Sequence, residues 1–336
     1  MKMQNNIVKG YKNTITNFFE NSKYNNSVNF EKKQDLNFIL DSGHFENIEI
    51  YPSNFQIPSI IANAVITCSN ENSLIKPIEF CKLLEKLENF SCKHIVLIYS
   101  VFFSVKKIKN HLDTLKNYNI HSVTIICDYN EEYYTDSFGE IVMSLQLNKN
   151  LIVLNSPFEK NFEDTMFFSL KSTTFSFVKS RNEFNSNITL FSESQKLNTY
   201  FNQKLYIGPS GEIKNAPETA EVFGYIQDIK SEEVLQEIIS TPDFQKYWFV
   251  HKDLIDVCKE CEFRHTCVDN RVPIKRAKDE WFHKIECNYN PYIAKWAGED
   301  GHQTLEECGV ISNESGFSID HEKIKQINLK LETERS

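Results

Sequence analysis

The chain has 336 residues, 40% of them hydrophobic and 25% charged, which is the balance of a folded protein and excludes a disordered one. Its net charge of −9 argues against a generic nucleic-acid binder, because such a protein needs a basic face to neutralise phosphates. The start, MKMQNNIVKGYKN, lacks the apolar core of a signal peptide, and no run approaches the roughly 18 apolar residues of a membrane span, so a cytoplasmic chain away from membranes is expected.

Residues 1–58 read as a hairpin from IVKGYKNTITNFF and NNSVNFEKK followed by a short helix at DLNFIL, a possible leader-recognition module. The pattern then sharpens. IIANAVITC (60–68) is a buried-strand run, and IEFCKLLEKLENF (78–90) has apolar residues at helical spacing. The unit recurs as HIVLIYS (94–100) with VKKIKNHLDTLKNY (105–118), then SVTIIC (122–127) with SFGEIVMSLQL (137–147), then LIVLN (151–155). Strands bridged by helices predict α/β architecture, a parallel sheet or partial barrel. TTFSFVKS (173–180) and NITLF (187–191) are expected to finish it as strands.

After about residue 195 the character changes. KLYIGPSGEIKN (204–215) predicts a hairpin closed by Pro209-Ser210 between Gly208 and Gly211. SEEVLQEII (231–239) predicts a helix, and TPDFQKYWFV (241–250) a second, opened by Thr241 with Pro242 in its first turn. A polar tail follows the cysteine region, with one helix at HEKIKQINLKL (321–331).

Four of the nine cysteines fall within thirty residues, and none lies between 128 and 257. Cys258 and Cys261 are spaced C-x2-C, Cys267 follows after five residues, and Cys287 after nineteen more. In a reducing compartment this density points to metal or redox chemistry more than to disulfides. A C-x2-C turn aims two sulfurs at one centre, and four thiolates saturate either a tetrahedral zinc or the corners of an iron–sulfur cluster. Softness does not separate the two, although zinc sites usually pair two tight C-x2-C knuckles.

CKECEFRHTC, with KYWFVHKD before it, the GEIKNAPE hairpin upstream and CNYNPYIAKW after it, resembles the SPASM domain of the grasp-with-spasm peptide-maturation family. The likeness covers roughly 195–300 and extends into the β/α region. It implies a degenerate radical-SAM-like (β/α) barrel over 59–195, a SPASM domain over 196–310 and a polar tail over 311–336. It further implies one 4Fe–4S cluster on Cys258, Cys261, Cys267 and Cys287, with zinc as the alternative. The implied partners are a ribosomally made precursor peptide and an ATP-grasp ligase.

The departures are equally informative. Where a first auxiliary cluster of such a domain would take its thiols, this chain has Tyr200, Ala216 and Asn270 or Arg271. After the first strand, Cys68 is followed at the next two ligand positions by Asn72 and Ile75, and HIVLIYSVFFS lacks the glycines of a methionine-binding turn. No S-adenosylmethionine cleavage is therefore expected, and no catalytic residue is assigned. The resemblance implies an accessory protein; a redox or peptide-modifying enzyme, and a zinc-stabilised peptide-binding protein, are the alternatives.

Other candidates have plainer readings. His265 suits a surface position or one behind the thiols, and His283 and Cys308 are weaker substitutes for a fourth ligand. Cys81, Cys92 and Cys127 suit core packing. Trp281, Tyr289, Tyr292 and Trp296 flank Cys287 and suit a shield against water. Glu131, Glu132 and Asp136 read as solvated, and GPSG is too short for a phosphate cradle.

Overall fold

The computed structural model describes residues 60–69, 76–100, 103–133, 140, 142–143, 148–162, 166–170 and 188–333. The hairpin and helix expected in residues 1–58, the strand expected at 173–180, Asn72, Ile75 and Asp136 lie outside them, as does most of the helix expected at 137–147.

β1 (Asn63–Cys68), β2 (His94–Tyr99), β3 (Ser122–Asp128) and β4 (Asn148–Leu154) follow one another, with α1 (Pro77–Asn89) and α2 (Val105–Leu115) bridging the first two intervals. β5 (Lys160–Phe162), β6 (Met166–Phe168) and α3 (Ile188–Ser194) come next. They precede the hairpin β7 (Lys204–Ile207) and β8 (Ile213–Lys214), and then α4 (Glu232–Ile239). Short antiparallel pairs close the chain: β9 (Ile274–Ala277) with β10 (Glu280–Phe282), β11 (Tyr289–Asn290) with β12 (Lys295–Trp296), and β13 (Val310–Asn313) with β14 (Gly316–Ile319). The last element is α5 (His321–Thr333).

One eight-stranded sheet runs in the order β5-β6-β4-β3-β2-β1-β7-β8. β6, β4, β3, β2, β1 and β7 are mutually parallel, and the antiparallel β5 and β8 form the edges. The protein is thus mixed α/β. β1 is buried on both faces from Ala64 onward, as an interior parallel strand must be when helices cover the sheet. α1 contributes Phe80, Leu83, Leu84 and Leu87, and α2 contributes Ile108, Leu112 and Leu115, each set at helical spacing. Pro77 opens α1 at a position where its missing N–H is no loss.

The hairpin at 204–215 forms as its sequence demands. Gly208 N–H donates to the Glu212 carbonyl at 2.9 Å, and Gly211 takes φ +86°, which a side chain would strain. Its first strand pairs with β1, so the segment beyond residue 195 extends the sheet, and Leu205, Ile207 and Ile213 join the same core as Ala64 and Ile66. Backbone bonds from Ile213 to Gly224 and from Phe223 to Ile213 cover the outer edge of β8.

Two expected elements differ. NITLF does not finish the sheet as a strand: residues 188–191 open α3. TPDFQKYWFV is a succession of turns with no α-helix. Its bonds mix i→i+4 (Gln245 to Thr241, 3.1 Å) with i→i+3 (Trp248 to Gln245, 2.9 Å). The irregular path lets Phe244 and Trp248 pack in the main core while Tyr247 and Val250 enter a second one with Phe201 and Trp281. A straight helix places 244, 247 and 248 on one face, so packing into two cores overrides the local propensity. Among the described residues no helix is long and apolar enough to cross a membrane.

Candidate metal centre

Cys258 sits on a short 3₁₀ turn, Cys258–Glu260, whose first carbonyl accepts the Cys261 N–H at 3.0 Å. Just before it Val257 adopts φ +64° and ψ −48°, and the Cys258 N–H donates across it to the Asp256 carbonyl at 2.7 Å. That γ-turn is costly for a β-branched residue, so its surroundings must enforce it. They do so through Asp256. Its backbone N–H donates to the Trp281 carbonyl on β10 (2.8 Å), and its carboxylate accepts Arg276 Nη2 (2.6 Å), Lys259 Nζ (3.2 Å) and Ser312 Oγ (3.2 Å). Two of the three C-terminal hairpins, β9–β10 and β13–β14, thereby hold the strained turn that carries the first thiol.

The other thiols are placed from different directions. The Cys267 carbonyl accepts Thr199 Oγ1 at 2.8 Å, which ties it to the segment entering β7. The Cys261 carbonyl accepts Arg264 Nη1 at 3.1 Å, and the Phe263 amide donates towards the Cys261 sulfur. Cys287 lies between β10 and β11, two residues past Ile285, whose carbonyl accepts Arg271 Nη1 at 2.8 Å. None of the four forms a disulfide among the described residues, and all are half-buried. Cys261 lies within charge range of Cys258 and Cys267, and Cys258 within that of Cys287. Cys258, Cys261 and Cys267 thus lie in the one segment that precedes β9, and Cys287 in the connection from β10 to β11; the donor atoms that meet closely here are those of Cys258, Asp269 and His283.

Burial pushes the Cys258 and Cys261 thiols up, which disfavours the thiolate that a metal needs. Two buried cations oppose this at Cys258. Arg271 Nη2 lies 4.0 Å from its sulfur, and Lys252 acts on both Cys258 and Cys267. A single buried carboxylate holds the cations: Asp269 Oδ2 accepts Lys252 Nζ at 2.6 Å and Arg271 Nη2 at 2.7 Å, while Oδ1 accepts Arg271 Nε at 3.0 Å. The two cations hold the Asp269 carboxyl well below the usual carboxylate range. His283 Nε2 is 3.5 Å from the same carboxylate, and burial keeps its imidazole neutral far into the acid range. Two positive charges and one negative leave an uncompensated buried cation beside the thiols. An isolated buried charge is expensive, so this environment fits an anionic partner such as a metal–thiolate centre.

Cys258, Asp269 and His283 also offer three donor atoms within 4.8 Å of one another, a group that could hold a metal ion by itself. His283, read from sequence as a weaker substitute for a fourth ligand, is a member of this group. His265 faces away, its Nδ1 lying 3.1 Å from both Ser194 Oγ and Gln195 Nε2 at the end of α3. Cys308 is buried among Ile293, Leu305 and Val310, with Asn290 Nδ2 at 3.3 Å. Cys68, Cys92 and Cys127 are core residues, and burial raises each thiol to about 12. Cys81 is half-buried, and Glu131 and Glu132 are exposed.

The aromatic residues around Cys287 do not form one wall. Tyr289 and Trp296 cluster with Phe263, two residues from Cys261, in edge-on and tilted contacts with centroids 4.7–5.9 Å apart, and the Tyr289 hydroxyl donates to Glu262. Trp281 packs in the second core with Cys258 against it, and Tyr292 packs in a third with Val257.

Tyr200, Ala216 and Asn270, where the resemblance would place thiols, lie at a polar knot. Tyr200 Oη donates to Glu218, and Asn270 Nδ2 donates to Glu218 Oε1 at 3.0 Å. Lys204 Nζ stands 2.9 Å from the centre of the Tyr200 ring, and Ala216 is fully buried alongside in the second core. Burial lowers the Lys204 ammonium to about 7, against the attraction of Glu218 and Glu193. Sequence reasoning singled out neither Glu218, Lys204, Lys252 nor Asp269. Their charges look ordinary until the fold buries them.

No protein-family model matches the chain, and no curated protein is similar to it in sequence at a significant level.

Proposed function

We propose that the protein is an accessory factor of ribosomal-peptide maturation: a degenerate radical-SAM-like β/α domain joined to a SPASM-like region. It would act beside an ATP-grasp ligase in recognition or presentation of a precursor peptide, in the cytoplasm. One observation carries the reading. Two buried cations on one carboxylate stand beside the cysteine-rich segment, with Arg271 Nη2 4.0 Å from Cys258 Sγ, whereas Cys68, the thiol ending β1, is sealed in the apolar core.

Four thiolates fill every corner of a 4Fe–4S cluster, which would supply a redox-capable but coordinatively closed centre. A closed centre suits a structural or electron-carrying role, by analogy with closed zinc sites. Extended peptides bind readily by adding to exposed sheet edges, which gives an α/β sheet protein a means of holding such a partner. Titration of the purified chain with the cognate precursor and the ligase tests the role, and no binding to either would sink it. Iron, sulfide and zinc analysis after anaerobic purification tests the centre.

A second reading has its own support. The Cys258, Asp269 and His283 donor set suits a single zinc ion, provided that Lys252 and Arg271 release Asp269. Zinc would then stabilise a peptide-binding protein, and the accessory role would stand.

A further inference from the structure

Lys252 and Arg271 are among the most enclosed cations of the described chain, with side chains 6% and 8% exposed. Both reach the Asp269 carboxylate, and together they span three of the four thiols: Arg271 acts on Cys258 and Cys287, and Lys252 on Cys258 and Cys267. The buried carboxylate of Asp256 is engaged by Arg276 and Lys259. A net charge this deeply enclosed has no solvent to balance it.

We propose that Lys252 and Arg271, clamped side by side by Asp269, are the counter-ions of the four-thiol centre and set how readily it accepts negative charge. The inference rests on the reading of Cys258, Cys261, Cys267 and Cys287 as ligands. It adds three positioning residues that touch the centre only through their fields and hydrogen bonds. Buried charge near a cluster and donors to its sulfurs are levers by which a protein tunes such a centre. Here both levers act through the Arg271 guanidinium, whose Nη2 points to Cys258 Sγ while Nη1 holds the loop leading to Cys287. Asp269 limits their effect, since it cancels one of the two cations.

The signs follow from charge alone. Removing a cation disfavours the reduced, more negative cluster; removing the carboxylate favours it. The full-length chain is reconstituted anaerobically with iron and sulfide, and separately with zinc. Arg271→Gln and Lys252→Met are compared with the charge-keeping Arg271→Lys and with Asp269→Asn. At a fixed potential, each cation-removing variant is expected to cut the reduced-to-oxidised ratio about tenfold, equivalent to about 59 mV for a one-electron couple. Arg271→Lys is expected to track the wild type, and Asp269→Asn to shift the ratio the opposite way. If the four thiols hold zinc instead, the cation-removing variants are expected to lose it to a chelator about tenfold faster, with Arg271→Lys again as the control.

A merely structural role would weaken all variants in one direction. Shifts of the same sign in Arg271→Gln and Asp269→Asn, or none in either, would overturn the proposal while leaving the ligand assignment intact. A wild-type chain that takes up neither metal would sink both. Should Arg271→Gln fail to fold, as judged by far-UV dichroism, Lys252→Met against Arg271→Lys decides the matter.

Discussion

The phenol of Tyr200 and the carboxylate of Glu218 form a two-pronged hydrogen bond, with Tyr200 Oη 3.0 Å and 2.9 Å from the two carboxylate oxygens. The pair joins the segment entering β7 to the segment leaving β8, and Asn270 extends it to the cysteine loop. Polar side chains thus make the cross-link where the resemblance would place thiols. Asn270 Oδ1 has no hydrogen-bond partner among the described residues, which leaves this knot one donor short.

Glu218→Gln keeps the shape of this knot but removes its charge, and Tyr200→Phe removes the donor. Each is expected to cost about 1–3 kcal/mol of unfolding free energy, because the partner left behind is buried or half-buried. In a double-mutant cycle read by denaturant unfolding the losses should fall short of additivity, since the residues share one bond. Additive losses would place the stability elsewhere.

Lys204 gives the knot a pH dependence. Its folded value of about 7 lies below the usual lysine range, so between pH 7 and 9 the unfolded chain binds more protons than the folded one. Stability should therefore rise with pH across that window, with a slope of up to ~1.4 kcal/mol per pH unit. Above pH 9 the buried thiols and tyrosines act the other way, because burial raises them and their contribution is lost on ionisation. Thermal unfolding of the wild type against Lys204→Met isolates the effect; equal slopes for the two proteins would contradict it.

Cys261→Ser should abolish the centre. Serine supplies no soft thiolate, and the Phe263 amide would lose its sulfur acceptor. We expect metal content to fall to background and the region from 255 to 296 to become protease-sensitive. A variant that retains full metal and resists protease would exclude Cys261 as a ligand.

With S-adenosylmethionine and a strong reductant, the anaerobically prepared chain should release no 5′-deoxyadenosine. A cluster held by Cys258, Cys261, Cys267 and Cys287 would leave no open iron, and Cys68 stands in an apolar core with its thiol raised to about 12. Turnover above that of a Cys261→Ser control would place a reactive iron in the protein.

What the sequence determined by itself is what short-range periodicity encodes. The apolar runs of β1 to β4, the amphipathic α1 and α2, the Gly208–Gly211 turn and α5 were all legible, because each depends on neighbours within a few residues. The candidate ligands Cys258, Cys261, Cys267 and Cys287 were legible too, because clustered thiols are rare enough to stand out in one dimension. Tertiary structure alone decided the rest. Strand β7 pairs with β1, more than a hundred residues away, and no local pattern carries that register. Residues 241–250 gave up a helix to serve two cores at once, and NITLF turned helical. The Asp269 clamp and the Glu218 knot were invisible for a related reason. A lone Lys, Asp or Glu reads as solvated in sequence, and only long-range packing removes the water that would make its charge ordinary.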